Sequence, residues 1–217
     1  MGLVIIIGAG TGISYGVDQK CGKEGYRIAL IARNEPRLEE LATALQQEGI
    51  DVLYAAGDVA QEDSLRHALN QISQVAGVAD MILYNPSGAS NKDILDLDWE
   101  TIKDMLDISV GGYFNLMKMV LPSYLQQNHG KLFVTGGGLS LSGDPRMTAL
   151  SMGKAAQRNL VQAFQKKVDG THIHIAQVIV RGYVQPTDEK YNPAAIAEIF
   201  WKLFLQQPGE YEGEIIY

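Results

Sequence analysis

Cysteine is nearly absent from this chain: among 217 residues there is one, Cys21. A lone thiol excludes an internal disulfide framework, and without a Cys/His cluster no structural zinc or other metal site is expected. Cys21 itself reads as a small packed thiol. No apolar run approaches the ~20 residues that span a bilayer, so no membrane partner is expected. The apolar run "LVIII" at 3–7 has no basic leader and leads straight into glycines, which reads as a strand rather than an export signal and leaves the cytoplasm as the expected location. Positive charge is also scarce, with 18 Lys and Arg against 25 Asp and Glu, a formal net charge of −7. That balance opposes a general grip on nucleic acid. Low-complexity segments and internal repeats are missing too.

What the chain does have is an alternation of two periodicities. Apolar, β-branched runs occur at 3–7, 27–32, 51–56, 80–84, 131–135 and 172–180. Stretches of helical period such as "EPRLEELATALQQEG" and "EDSLRHALNQISQVAG" lie between them. Strand alternating with helix implies crossover units and a parallel sheet covered on both faces, a doubly wound, three-layer α/β/α domain. "IKDMLDISVGGYFNLMKMVLPSYLQQ" reads as one long helix that Pro122 bends or breaks. No linker-like composition divides the chain, so a single domain over 1–217 is expected.

The first strand runs into "GAGTGIS", Gly8 to Ser14, and then into a helix. Glycines at such a place permit a tight turn and close approach of backbone to a pyrophosphate, while the helix N-terminus offers N–H donors to an anion. Dinucleotide sites usually carry an acid at the end of the second strand, to accept from the ribose 2′-hydroxyl. Here the strand ends "LIARN", with Ala32 at that place and Arg33 and Asn34 after it. An arginine pairs a 2′-phosphate through a charge-assisted fork, which favours NADP over NAD; the alternative is a solvated surface cation.

At this point the chain resembles the short-chain dehydrogenase/reductase family over nearly all its length, and the resemblance implies a Rossmann fold. Gly8, Gly10, Thr11, Gly12 and Ile13 are similar to the family's glycine-rich cofactor loop, with Ser14 in place of its last glycine. "GDV" resembles the family's Asp-Val after strand three, which implies Asp58 and Val59 beside the adenine. "NPSG" is similar to the family's NNAG after strand four and implies Asn85, Ser87 and Gly88 at the cofactor. "VRGYV" stands where the family has a Pro-Gly turn near the nicotinamide, implying Arg181, Gly182 and Val184 there, with Arg181 in place of the proline.

The chemical positions depart from the pattern. The resemblance implies a tyrosine four residues before a helical lysine, a serine thirteen before that tyrosine, and an asparagine in the long preceding helix. In this sequence Leu150, Gly137 and Ser109 occupy those three places, and of the four only Lys154 agrees. Lys154 and Ser109 are therefore the residues carried over as catalytic candidates. Tyrosine and lysine at that spacing share a helix face, so the ammonium lowers the phenol's pKa and touches the nicotinamide ribose. Leucine and glycine transfer no protons. Ser151 is turned ~100° away from the face of Leu150. Tyr84 and Tyr183 read more naturally as packing residues with a wet hydroxyl, Ser140 and Ser142 as turn serines, and His67, His129, His172 and His174 as structural or solvated.

After "RGYV" the family commonly inserts a substrate lid of some tens of residues, whereas here "QPTDEKY" leads at once to "NPAAIAEIFWKLF", a helix start capped by Asn192 with Pro193 at its first position. The lid is very short. Two functions remain open, beside a third reading in which the glycine loop is vestigial and binds no nucleotide. One is an NADP(H)-dependent oxidoreductase acting on a carbonyl, alcohol or enone small molecule through a rearranged site. The other is a non-catalytic NADP(H)-binding sensor or regulatory protein. The family's habit of pairing through its long helices implies a homo-oligomer, a dimer or tetramer.

Overall fold

The computed structural model describes residues 1–88 and 91–217. Seven parallel strands form one sheet in the order β3-β2-β1-β4-β5-β6-β7. They are β1 (Leu3–Ile7), β2 (Arg27–Ala32), β3 (Val52–Ala56), β4 (Met81–Tyr84), β5 (Gly130–Gly137), β6 (Ile173–Val180) and β7 (Glu214–Ile216). All five residues of β1 are buried, as a strand covered on both faces must be. Its alternate side chains part accordingly: Leu3, Ile5 and Ile7 join one core with Leu116, Met117 and Val161, while Val4 and Ile6 join the other with Val17, Leu38 and Phe200.

The helices covering the sheet are α1 (Ile13–Lys23), α2 (Glu35–Gln47), α3 (Glu62–Ala76), α4 (Trp99–Leu106), α5 (Gly112–Gln127), α6 (Thr148–Lys167) and α7 (Pro193–Leu205). Their starts follow local chemistry. Asn34, Asp98 and Asn192 accept from the N–H groups of Arg37, Thr101 and Ala195 and so cap α2, α4 and α7. At the other end of α7, the buried Lys131 Nζ donates to the carbonyls of Phe204 and Gln206.

Two expectations are corrected. The six expected strands form with their ends adjusted by a residue or two, but β7 was not foreseen. It is short, and it is held at the edge by the Arg158–Glu214 ion pair at 2.7 Å. The expected long helix is interrupted, and not at Pro122, which sits inside α5. The interruption is one wider π-type turn over Asp107–Gly111 between α4 and α5, a local widening that often accompanies functional positions. The strand order reverses between β1 and β4, so the carboxyl ends of these neighbours open a crevice, the usual ligand position in such sheets.

Candidate functional site

The glycine loop begins at Gly8, whose N–H donates to Ile31 O at 2.8 Å. Its φ of +81° is left-handed, and a Cβ there would stand 2.6 Å from the Pro86 nitrogen, so only glycine fits. A Cβ on Gly10 or Gly12 would instead meet nothing within 4 Å, which leaves the loop's outer side open to a ligand. Ser14 turns out to shape this loop: its hydroxyl accepts from Gly10 N and donates to Gly10 O, both at 2.9 Å. Thr11 is exposed at the tip, and Gly12 precedes α1 without a side-chain cap. The start of α1 therefore still has N–H groups to offer an anion.

From this loop a trough runs in both directions along the sheet. One part, a cavity of about 310 Å³, is lined by Gly8, Ala32, Arg33, Asp58, Val59 and Ile108 among others. The second part, about 620 Å³ and mostly apolar, is lined by Gly12, Ile13, Gly137, Leu150, Lys154, Arg181, Gly182, Tyr183 and Val184 among others. Asn85 and Ser87 line both and join them. Asn85 is itself a brace: it donates from Nδ2 to Gly8 O at 3.0 Å and accepts from the Thr135 hydroxyl at 2.8 Å, tying β1, β4 and β5. Asp58 Oδ1 accepts from Ala60 N at 3.0 Å, which steadies that side of the trough. The structure thus gathers most of the residues singled out from sequence. Gly10, Thr11, Asn34, Gly88 and Ser109 line neither part: Asn34 caps α2 and Gly88 packs against Met105.

Lys154 is buried at the base of the larger cavity. Its Nζ donates to Thr135 O at 2.8 Å and to Gln157 Oε1 at 3.1 Å. No carboxylate partners it among the described residues, and burial pulls its pKa down to about 8. Gln157, which sequence reasoning missed, is almost fully buried and donates from Nε2 to the main-chain carbonyl of Ser109 at 2.9 Å. Ser109 lies in the π-type turn, and its hydroxyl is buried without a partner among the described residues, facing Gly153 rather than the trough.

Most of the other proton-carrying candidates are engaged or remote, but Ser140 keeps a buried hydroxyl without a partner among the described residues. Tyr84 donates its buried hydroxyl to Ile108 O, and burial raises its pKa well above the ordinary phenol range. Ser151 donates to Met147 O at 3.0 Å and accepts from Asp144 N. His174 stacks on Tyr211 at 4.2 Å with its pKa lowered by burial, whereas His67, His129 and His172 are exposed. Tyr183 lines the trough but is 83% exposed.

A family model described as short chain dehydrogenase matches residues 2–194. The chain belongs to that family. Relatives include an uncharacterised oxidoreductase of Staphylococcus aureus strain MRSA252, 24% identical over 204 residues that cover 90% of this chain and 87% of that protein. An uncharacterised oxidoreductase of Listeria innocua is 24% identical over 178 residues, covering 81% of this chain and 72% of its own. Among solved structures, an alcohol dehydrogenase from the archaeon Thermococcus sibiricus complexed with 5-hydroxy-NADP superposes with a TM-score of 0.88 at 24% identity, covering 100% of this chain and 96% of that one. A metagenomic short-chain oxidoreductase in complex with NADP gives a TM-score of 0.89 at 15% identity, again covering 100% and 96%. These likenesses confirm the doubly wound short chain dehydrogenase fold.

Proposed function

We propose that the protein is an NADP(H)-dependent oxidoreductase acting on a carbonyl, alcohol or enone small molecule. The observation that carries this reading is the trough: two cavities meet at Asn85 and Ser87 across the switch point, one lined by Arg33 and the other by the buried Lys154. The residues present fit NADP. Gly10 and Gly12 leave open the space where phosphates would approach, and the start of α1 supplies donors and a favourable dipole. Arg33 stands where a 2′-phosphate would be met, with no acid beside it to prefer a ribose hydroxyl. Asp58 and Val59 would flank the adenine, Asn85 and Ser87 the middle of the cofactor, and Ile13, Gly182 and Val184 the nicotinamide end. When bound, NADPH supplies a hydride.

The relatives' description as oxidoreductases, and the NADP complexes among the structural neighbours, support the same reading. The sensor alternative draws on Leu150 and Gly137, which line the cavity and carry no proton. Titration of the protein with NADPH and NADH, followed by nucleotide fluorescence, tests the cofactor. Arg33→Ala should weaken NADPH by roughly 1.5–3 kcal/mol, the value of hydrogen bonds to a charged group, or about 10- to 100-fold, and leave NADH little changed. An unaltered preference rejects the arginine's role. A homo-oligomer is taken as the working assembly, supported by the exposed Phe114 on α5 beside Phe164 on α6, with sedimentation velocity as its test.

A further inference from the structure

We infer that Lys154 is itself the proton donor of the reaction, held in place by the Gln157 side chain and, through it, by the main-chain carbonyl of Ser109. The assignment rests on the reductase reading above and goes beyond it by naming the acid that Leu150 cannot supply. An ammonium has three N–H bonds. Two of them are taken by fixed acceptors, Thr135 O at 2.8 Å and Gln157 Oε1 at 3.1 Å. The amide of Gln157 cannot turn over, because its nitrogen must donate to Ser109 O, a pure acceptor, and its oxygen must accept from Lys154, a pure donor. Lys154 also lines the larger cavity, so its third N–H is the one left for a molecule bound there.

This frame suits both protonation states. The neutral amine keeps both donated bonds and presents a lone pair where the ammonium presented its third N–H. Ordinary buried lysines lean on a carboxylate, which would hold the proton in place. Here the neighbours on β5, on α6 and in the π-type turn are Thr135, Leu150, Gln157 and Ser109, all neutral. Across the cavity stand Arg181 and Tyr183, both exposed, and no carboxylate lines this part of the trough among the described residues. The bookkeeping of atoms closes. As a carbonyl substrate takes hydride at carbon, its C=O π pair moves to oxygen. That oxygen forms a bond to the Nζ proton, the N–H bond breaks with its electron pair left on nitrogen, and solvent reprotonates the amine.

Two measurements test this. In the protein without nucleotide, ¹⁵N NMR of lysine-labelled chain follows the Nζ resonance that Lys154→Met removes. A titration midpoint near 8 is expected, and an ammonium that persists above pH 10 overturns the proposal whatever NADPH does. The second measurement is NADPH-dependent reduction of a panel of aldehydes, ketones and enones that includes 4-nitrobenzaldehyde. Wild-type kcat should fall about tenfold per pH unit above the midpoint. Lys154→Arg, which keeps the charge but does not release it, should lose roughly 10²- to 10⁴-fold in kcat at saturating NADPH. Gln157→Glu should carry the alkaline limb upward by placing a carboxylate at the ammonium, a shift that a merely structural role would not produce. Retained kcat in Lys154→Arg, or a loss confined to NADPH affinity, overturns the proposal. So does NADPH binding without turnover of any panel member, an outcome that leaves the cofactor site standing. Failure of the wild type to bind either nucleotide removes the reductase reading itself, while the NMR titration still reports on Lys154.

Discussion

At the scale of single residues, Leu150 and Gly137 line the cavity beside Lys154 and carry no proton, and Gln157 accepts a hydrogen bond from the lysine. A Cβ at Gly137 would meet only Lys154 Cγ, at 3.9 Å, so a serine fits there without displacing its neighbours. Leu150 stands one turn before Lys154 on the same helix face and lines the same cavity. The double variant Gly137→Ser, Leu150→Tyr should therefore raise kcat for NADPH-dependent reduction. Its gain should be about tenfold, short of the 10²–10⁴ roughly expected if the wild type had no acid at all. Steady-state rates across pH distinguish the two. The glycine loop, Arg33 and Asp58 were legible because their residue types have few uses at the ends of parallel strands. Gln157 was not, because an amide on a helix reads as solvated until the fold closes the π-type turn over it. Asn34 reads two ways, because cap and cofactor ligand look alike in sequence, and its Oδ1 accepts the cap bond from Arg37.

At the scale of elements, α1 carries a cost that its position explains. It packs on the sheet beside α7 and presents Asp18 to the interior, fully buried, with neither carboxylate oxygen partnered among the described residues. Burial raises its pKa well above the ordinary 3.8. The native state therefore keeps a proton that the unfolded chain releases at about pH 4. The sign follows: the contribution of this group to stability is full below that pH and is lost progressively as pH rises toward the native value. Asp18→Ala should stabilise the protein at pH 7 by roughly 1–3 kcal/mol, with the gain shrinking toward pH 4. Urea midpoints at the two pH values measure it, and an equal gain at both would show that the carboxyl is ionised in the native state. The strands were legible to within a residue or two because β-branched runs buried on both faces have few alternatives. The π-type turn and β7 were not. The turn is a one-residue irregularity without a local sequence mark, and the last strand is three residues long and depends on an edge that the rest of the sheet provides.

At the scale of the molecule, the net charge and the trough have opposite signs. The chain carries −7, yet the charged side chains lining the trough among the described residues are Arg33, Lys154 and Arg181 against Asp58. A concave, locally cationic site in an acidic protein attracts a polyanion at short range and is weakened by salt. NADPH affinity should fall as ionic strength rises from 0.05 to 0.5 M on a fluorescence titration, and more steeply for wild type than for Arg33→Ala. The link from β6 to α7 spans only residues 181–192 and folds on itself through Asp188, whose carboxylate accepts from the N–H groups of Lys190 and Tyr191. It leaves the larger cavity open to a sizeable substrate. Among the described residues no helix is long and apolar enough to cross a membrane.

The sequence by itself determined the alternation of strand and helix, the glycine loop at the first crossover, the cation after β2, and the proton-free side chains of Leu150 and Gly137. These follow from periodicity, glycine placement and side-chain chemistry, all written locally along the chain. Only the tertiary structure decided which of those residues share one trough and that Ser109 turns its hydroxyl inward. It alone decided that Lys154 stands without a carboxylate between Thr135 and Gln157. Burial and hydrogen-bond partnership depend on neighbours from distant parts of the chain. The proton affinity of Lys154 depends on them in turn, so it is a property of the folded surroundings and not of the residue.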